Sequence, residues 1–240
     1  MIPISDDPGR RGTMPVINTL ILGANIAVFV YQFLLLPPLA AERFLFQNAL
    51  IPARLSANPL SVDAWLTVFT AMFMHGNLIH IASNMLYLYI FGDNIEDAMG
   101  HVGYLVFYLV CGVLATIAQV MVDPRSTVPN VGASGAIAGV LGAYLLLFPH
   151  ARVKTVIFLG IIPFFPTFAA VVVIGFWAVV QFLSGFSTLG LPSEGGGVAY
   201  FAHIGGFVAG LVLARVFARN LGRAREHIPM YGAPRSSGWR

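Results

Sequence analysis

Six stretches of this chain are long and apolar enough to call for a hydrocarbon environment, and polar or Pro-rich segments separate them. A helix needs about 20 mainly apolar residues to cross a bilayer. The pattern predicts spans at roughly 16–36, 77–92, 102–122, 132–148, 167–184 and 199–218. Pro37-Pro38 ends the first, Asp123-Pro124 follows the third, and Pro149 closes the fourth. The apolar run 155–184 is too long for one span and is broken at Pro163 and Pro166, which places the fifth crossing in its second half. Segment 38–75 is moderately apolar but cannot span, because Glu42, Arg43, Arg54 and Asp63 interrupt it. Irregular backbone at membrane depth is tolerated only when buried in protein or lining a water-filled cavity. This segment therefore predicts an interfacial outer loop over an aqueous cavity.

Composition agrees with that pattern. Hydrophobic residues make up 58% of the 240 and charged residues only 10%, against about 25% charged in a soluble domain. The fold class expected is all-α: a polytopic membrane bundle of six transmembrane helices. Residues 1–14 read as a short cytoplasmic lead-in, 15–219 as the six-span domain, and 220–240 as a basic cytoplasmic tail. Cytoplasmic segments carry the Lys and Arg of membrane proteins. With both termini inside, ten of the 13 fall on the inner side, and only Arg43, Arg54 and Arg125 fall outside. The expected location is the cell inner (plasma) membrane. The net charge of +3 is scattered without a basic stripe, which argues against nucleic acid as a partner. The single cysteine, Cys111, excludes a disulfide framework and a thiolate metal site.

Polar residues inside spans are functional-site candidates by default. Here they gather at the starts of spans two, four and six: His75, His80 and Asn84, then Ser134, then His203. Alternate spans of one chain run in the same direction, so all five lie at one membrane face and at similar depth. His80 and Asn84 are four residues apart and share a helix face. A serine hydroxyl becomes a competent nucleophile when a base removes its proton, and His is the usual base. Ser134 lies in Gly132-Ala133-Ser134-Gly135 near a helix N-terminus, where free N–H groups favour developing negative charge. His80 and Asn84 add side-chain donors for that charge. No Asp or Glu is placed to orient His203, so the expected arrangement is a Ser–His dyad. Two His and an Asn in the outer half, with no carboxylate or thiol beside them, argue against zinc.

These strings resemble the rhomboid family of intramembrane serine proteases, of the six-span bacterial or archaeal type. His75-Gly76-Asn77-Leu78-Ile79-His80 followed by Asn84 resembles the family's second-span signature, and Gly92…Glu96…Gly100 its G-x-x-x-E-x-x-x-G pattern. Gly132-Ala133-Ser134-Gly135 resembles G-x-S-G, and Ala202-His203-Ile204-Gly205-Gly206 with Gly210 resembles A-H-x-x-G-x-x-x-G. The similarity covers roughly residues 60–215. It implies Ser134 as nucleophile and His203 as general base, with His80, Asn84 and the Ser134 N–H as oxyanion hole. His75, Glu96 and Gly132 would be supporting residues. It also implies cleavage of single-span membrane-protein substrates near small residues, with no metal, ATP or organic cofactor. Two positions depart from the family. Ala138 stands where some members have an aromatic that stacks on the catalytic His, and Trp65-Leu66 stands where many have Trp-Arg.

Two other readings compete. A proteolytically silent relative that binds and escorts membrane helices should lack the Ser or the His, and this chain has both. A small transporter predicts internal repeats and mid-membrane charges, and the sequence shows neither. The Gly135/Gly139 and Gly206/Gly210 pairs read as close helix packing, which would draw spans four and six together.

Overall fold

The computed structural model describes residues 1–6, 13–189 and 198–218. The expected basic tail at 220–240 lies outside the described residues. The chain runs β1 (Ile2–Asp6), α1 (Val16–Val30), α2 (Pro38–Asn48), α3 (Pro52–Ala57), α4 (Val62–Thr70), α5 (Leu78–Met99), α6 (His101–Val122) and α7 (Ser134–Leu147). It continues through β2 (Arg152–Leu159), β3 (Ile162–Phe164), β4 (Thr167–Ala169), α8 (Ala170–Ser187) and α9 (Tyr200–Phe217). The six helices α1 and α5 to α9 fall on the six apolar stretches. Among the described residues, four segments are long and apolar enough to cross a membrane: Val16–Leu35, His101–Val122, Ala170–Ser187 and Tyr200–Phe217. The first is α1 extended by a π-helical turn, Tyr31–Leu35, after which Pro37 and Pro38 bar continuation.

The other two differ for physical reasons. Helix α5 is 22 residues long but carries Asp93, Glu96 and Asp97 in its last turns. It runs seven residues past the expected end because Glu96 finds partners. The Ile17 and Asn18 N–H groups donate to its two carboxylate oxygens at 2.9 and 2.7 Å. The buried carboxylate thereby satisfies the free donors and positive end of α1. His101 Nδ1 contacts the same carboxylate, and the Tyr104 hydroxyl and Asn18 amide complete a polar knot joining α1, α5 and α6. Helix α7 has 14 residues, so it spans about 21 Å, short of the roughly 30 Å hydrocarbon layer. It is the central helix, buried at every position from Gly135 to Tyr144.

Helix α7 packs most extensively against α9, and the contact is made by glycine. A Cβ on Gly206 would collide with the Gly135 carbonyl oxygen, one on Gly210 with that of Gly139, and one on Gly142 with that of Phe207. We expect Gly210→Ala to destabilise the bundle by about 1–3 kcal/mol through overpacking. The thermal midpoint in detergent would fall, and Gly23→Ala, with open space around it, would leave it unchanged.

A four-stranded sheet sits at the end of the bundle where α7 stops and α8 starts. Strand β2 pairs antiparallel with β1, β3 and β4. The sequence pattern placed no strands there. Residues 2–6, within the expected lead-in, pair with 153–156. The Tyr144 hydroxyl and the Asn94 amide both donate to the Asp6 carboxylate, tying β1 to α7 and α5. At the opposite end, segment 38–75 folds into three short helices with their own core of Leu50, Leu55, Val68, Ala71 and Met72. It is held within itself, where the Trp65 indole donates to the Pro59 carbonyl at 2.8 Å, and to the segment before α7, where Leu50 bridges Asn130.

Candidate active site

Helices α5, α7 and α9 begin at the end of the bundle that carries segment 38–75, and their first turns converge. Ser134 is the first residue of α7, and His203 lies one turn into α9. Their side chains meet: His203 Nε2 is 2.7 Å from Ser134 Oγ. Both are half-buried. The close α7–α9 glycine contact sets this distance, since any wider helix separation would part the pair.

The other ring nitrogen of His203 faces Gln181 Oε1 on α8, at 2.8 Å. An amide oxygen only accepts, so this contact suits the tautomer with its proton on Nδ1, which turns the Nε2 lone pair to the serine hydroxyl. Trp177, one turn before Gln181, lies against the same imidazole with ring centroids 5.9 Å apart and planes tilted by 35°. Helix α8 thus supplies the aromatic support that position 138 does not, Ala138 being fully buried among the helices. Neither Gln181 nor Trp177 belongs to the motifs read in the sequence. The signal available was a lone Gln in an apolar span, one helical turn after a Trp.

His80 approaches from α5. The Asn77 side chain caps that helix by accepting from the His80 N–H at 2.8 Å, which fixes the first turn. The Gly76 N–H points at His80 Nδ1, 3.5 Å away, and Nε2 lies on the side of the ring that faces Gly132. That nitrogen packs against Gly132, where a Cβ would lie 2.8 Å from Nε2 and 3.5 Å from Ser134 Oγ. Gly132 also has φ +133°, a conformation open essentially to glycine alone. It is the one residue type that lets the backbone pass between His80 and Ser134. His75 is fully buried and packs edge-on against His80, ring centroids 5.0 Å apart. Asn84 follows His80 by one turn and is 7% exposed. Its Nδ2 has no hydrogen-bond partner among the described residues. Glu96 stands at the far end of α5, in the polar knot, and takes no part in this cluster.

A cavity of about 50 Å³ opens beside Ser134; its lining includes the small residues Gly112, Ala115, Thr116, Gly132 and Gly135 together with Leu50, Val68 and Met72. Gln119 also lines it and accepts from the Ala202 N–H at 3.2 Å, which holds the start of α9 in place. The cluster therefore contains a hydroxyl against an imidazole, the His80 ring across Gly132, and the free N–H groups of the α7 first turn. That set is suited to attack on a carbonyl carbon with stabilisation of the resulting oxyanion.

Residues 62–220 match the Rhomboid domain. The chain is similar to the chloroplastic Rhomboid-like protein 11 of Arabidopsis thaliana, 42% identical over 84 residues, which is 35% of this chain and 30% of that protein. It is similar to the mitochondrial Rhomboid protein 1 of Saccharomyces cerevisiae, 25% identical over 211 residues, 86% of this chain and 54% of that one. A third relative is the Rhomboid protease GluP of Bacillus subtilis, 37% identical over 81 residues, 34% of this chain and 15% of that protein. The matches span about half or less of the length of these relatives. With two thirds of its length matching the family's domain and four apolar helices fit to cross a bilayer, this chain belongs to the rhomboid family of integral membrane proteins.

Proposed function

We propose that the protein is an intramembrane serine endopeptidase that cleaves membrane-protein substrates through a Ser134–His203 dyad. The observation that carries this reading is the 2.7 Å contact between Ser134 Oγ and His203 Nε2, with Nδ1 held by Gln181. His203 takes the hydroxyl proton as Ser134 Oγ attacks the scissile carbonyl. The oxyanion forms beside Asn84 Nδ2, His80 Nε2 and the α7 backbone N–H groups. His203 then gives its proton to the leaving amine, and that bond breaks to leave an acyl-enzyme. A water molecule, deprotonated by His203, hydrolyses the ester and restores Ser134. The small-residue lining beside Ser134 suits a small substrate side chain, and a single-span protein entering from the bilayer is the substrate class proposed. The placement proposed is the plasma membrane, with both termini and the basic tail cytoplasmic and the Ser134 end facing out.

The test is cleavage of a tagged single-span protein by the purified enzyme in liposomes, together with labelling of Ser134 by a fluorophosphonate probe. Cleavage with labelling supports the reading. Folded protein that neither cleaves nor labels supports the silent relative instead.

Gln181 acts in this scheme as a positioning residue. Gln181→Leu should lower kcat by about 10–100-fold with little change in KM, as loss of an outer-shell orienting partner does elsewhere. Gln181→Glu should keep more activity and move the acid limb of the pH–rate profile upward by about a unit, because a nearby carboxylate favours the imidazolium form. Gln181→Leu with kcat within threefold of wild type and a lowered thermal midpoint would assign Gln181 to packing alone.

A further inference from the structure

Strand β2 changes character half-way along. Exposed Arg152 and Lys154 alternate with buried Val153 and Thr155, as in a strand with one wet face. From Ile157 onward the alternation stops. Residues 157–159 pair with β3 alone, forming a two-stranded ribbon that turns at Gly160 and Ile161. Residues 158–165 are all exposed, and six of the eight are large and apolar: Phe158, Leu159, Ile161, Ile162, Phe164 and Phe165. Ile161, at the tip, is 95% exposed. No charged residue follows Lys154 until Glu194. Successive residues of a strand point to opposite faces, so this ribbon is apolar on both. A two-stranded ribbon of that kind is unstable in water, and a contiguous apolar surface marks a binding or membrane-contact site.

We propose that the hairpin formed by residues 157–164 is a monotopic membrane anchor, embedded in the interfacial layer of the bilayer that holds the bundle. Lipid is the occupant for three reasons. The exposed apolar surface is continuous along the chain with that of the spanning helix α8, where Val171, Val172 and Phe176 are 44%, 50% and 56% exposed. Only Thr167–Ala169 and Pro166 separate the two surfaces, so a ribbon joined to α8 meets the bilayer without losing translational freedom. The charges sit at the base alone: Arg152 and Lys154 are exposed there, with Lys154 Nζ 6.0 Å from the Phe165 ring centroid. Cations at headgroup level with aromatics beside them and aliphatics beyond match the layering of a membrane surface.

Depth is limited by the backbone. The ribbon's outer edges leave N–H and C=O groups unpaired, and open sheet edges do not occur in the hydrocarbon core. Pro163 removes one such donor, but the others still need water or headgroups. The tip therefore lies at the boundary of headgroups and acyl chains, about 5–10 Å deep, as interfacial helices do.

The test uses the full chain with Ile161→Cys in lipid nanodiscs of phosphatidylcholine and phosphatidylglycerol, labelled with an environment-sensitive fluorophore. The native Cys111 is fully buried and serves as the unlabelled background. We expect iodide quenching to be reduced several-fold relative to free dye. Lipids spin-labelled near the headgroup should quench more than lipids labelled near the chain end. Full iodide quenching without lipid quenching would overturn the proposal and point to a hairpin exposed for a protein partner. Strongest quenching by the chain-end label would overturn the interfacial depth. Leu159→Cys, on the other side of the turn, carries the same expectations where Ile161→Cys fails to fold.

Discussion

Ser134→Ala and His203→Ala should each reduce cleavage of a single-span substrate by about 10⁴-fold or more, and the double variant should be no worse than either alone. Nucleophile and base act as one unit, so their removals do not add. Neither change should unfold the protein. Ala is a good helix former at the first position of α7, and the Ser134–His203 hydrogen bond is worth only about 0.5–1.5 kcal/mol. Thermal midpoints in detergent should therefore fall by no more than a few degrees. The fluorophosphonate probe should label the wild type and not Ser134→Ala. His203→Ala should label at a rate lowered by a similar factor, because the hydroxyl without its base is a weak nucleophile. Persistent cleavage by purified Ser134→Ala would remove the serine mechanism outright. Loss of activity with a collapsed thermal midpoint would instead mark the pair as packing residues, and the Gly210→Ala variant provides the reference for that pattern.

How far the sequence disclosed this arrangement depends on the kind of signal. Apolar length located all six helices, because hydrocarbon thickness imposes a minimum that composition cannot disguise. The alternation of span directions placed Ser134, His80, Asn84 and His203 at one end, and the structure puts Ser134 against His203 there. The end of α5 was harder to see. Asp93 and Glu96 look like the limit of a span until Glu96 is known to bind the first N–H groups of α1. Strands β2 and β3 were hidden for another reason. A continuous apolar run such as residues 155–166 has no periodicity to separate strand from helix, so Pro163 and Pro166 set it apart from the fifth span without giving it a structure of its own. β1 pairs across about 150 residues of sequence with β2, a partner that no local pattern reveals. Gln181 was within reach. A single amide in the apolar run of α8 has few roles in a membrane except to bond something, and the polar group it meets is the nitrogen of His203 that the serine does not use. What the motif reading lacked was the rotation of α8 about its axis, which decides whether Trp177 and Gln181 face the bundle or the lipid.

Asn84→Ala should separate catalysis from stability in opposite directions. Asn84 is buried and its Nδ2 lacks a partner among the described residues. A buried donor left unsatisfied destabilises the resting protein by about 1–3 kcal/mol. Its retention makes sense where the partner is an oxygen that becomes charged only during reaction. Removing such a donor lowers kcat by about 10²–10³-fold, with KM little changed because the ground-state carbonyl uses it weakly. The same substitution abolishes the unsatisfied amide and leaves only a small void. The thermal midpoint of Asn84→Ala should therefore stay level or rise, even as activity falls. His80→Ala offers the contrast: its ring packs against His75 and Gly132, so that variant should lose activity and stability together. The oxyanion role also predicts strong coupling between the two sites in a double-mutant cycle on kcat, since both would donate to one atom. A drop in thermal midpoint for Asn84→Ala with kcat within threefold of wild type would assign Asn84 to helix packing, where a membrane amide contributes about 0.6 kcal/mol on average, and would leave the oxyanion to His80 and the α7 backbone.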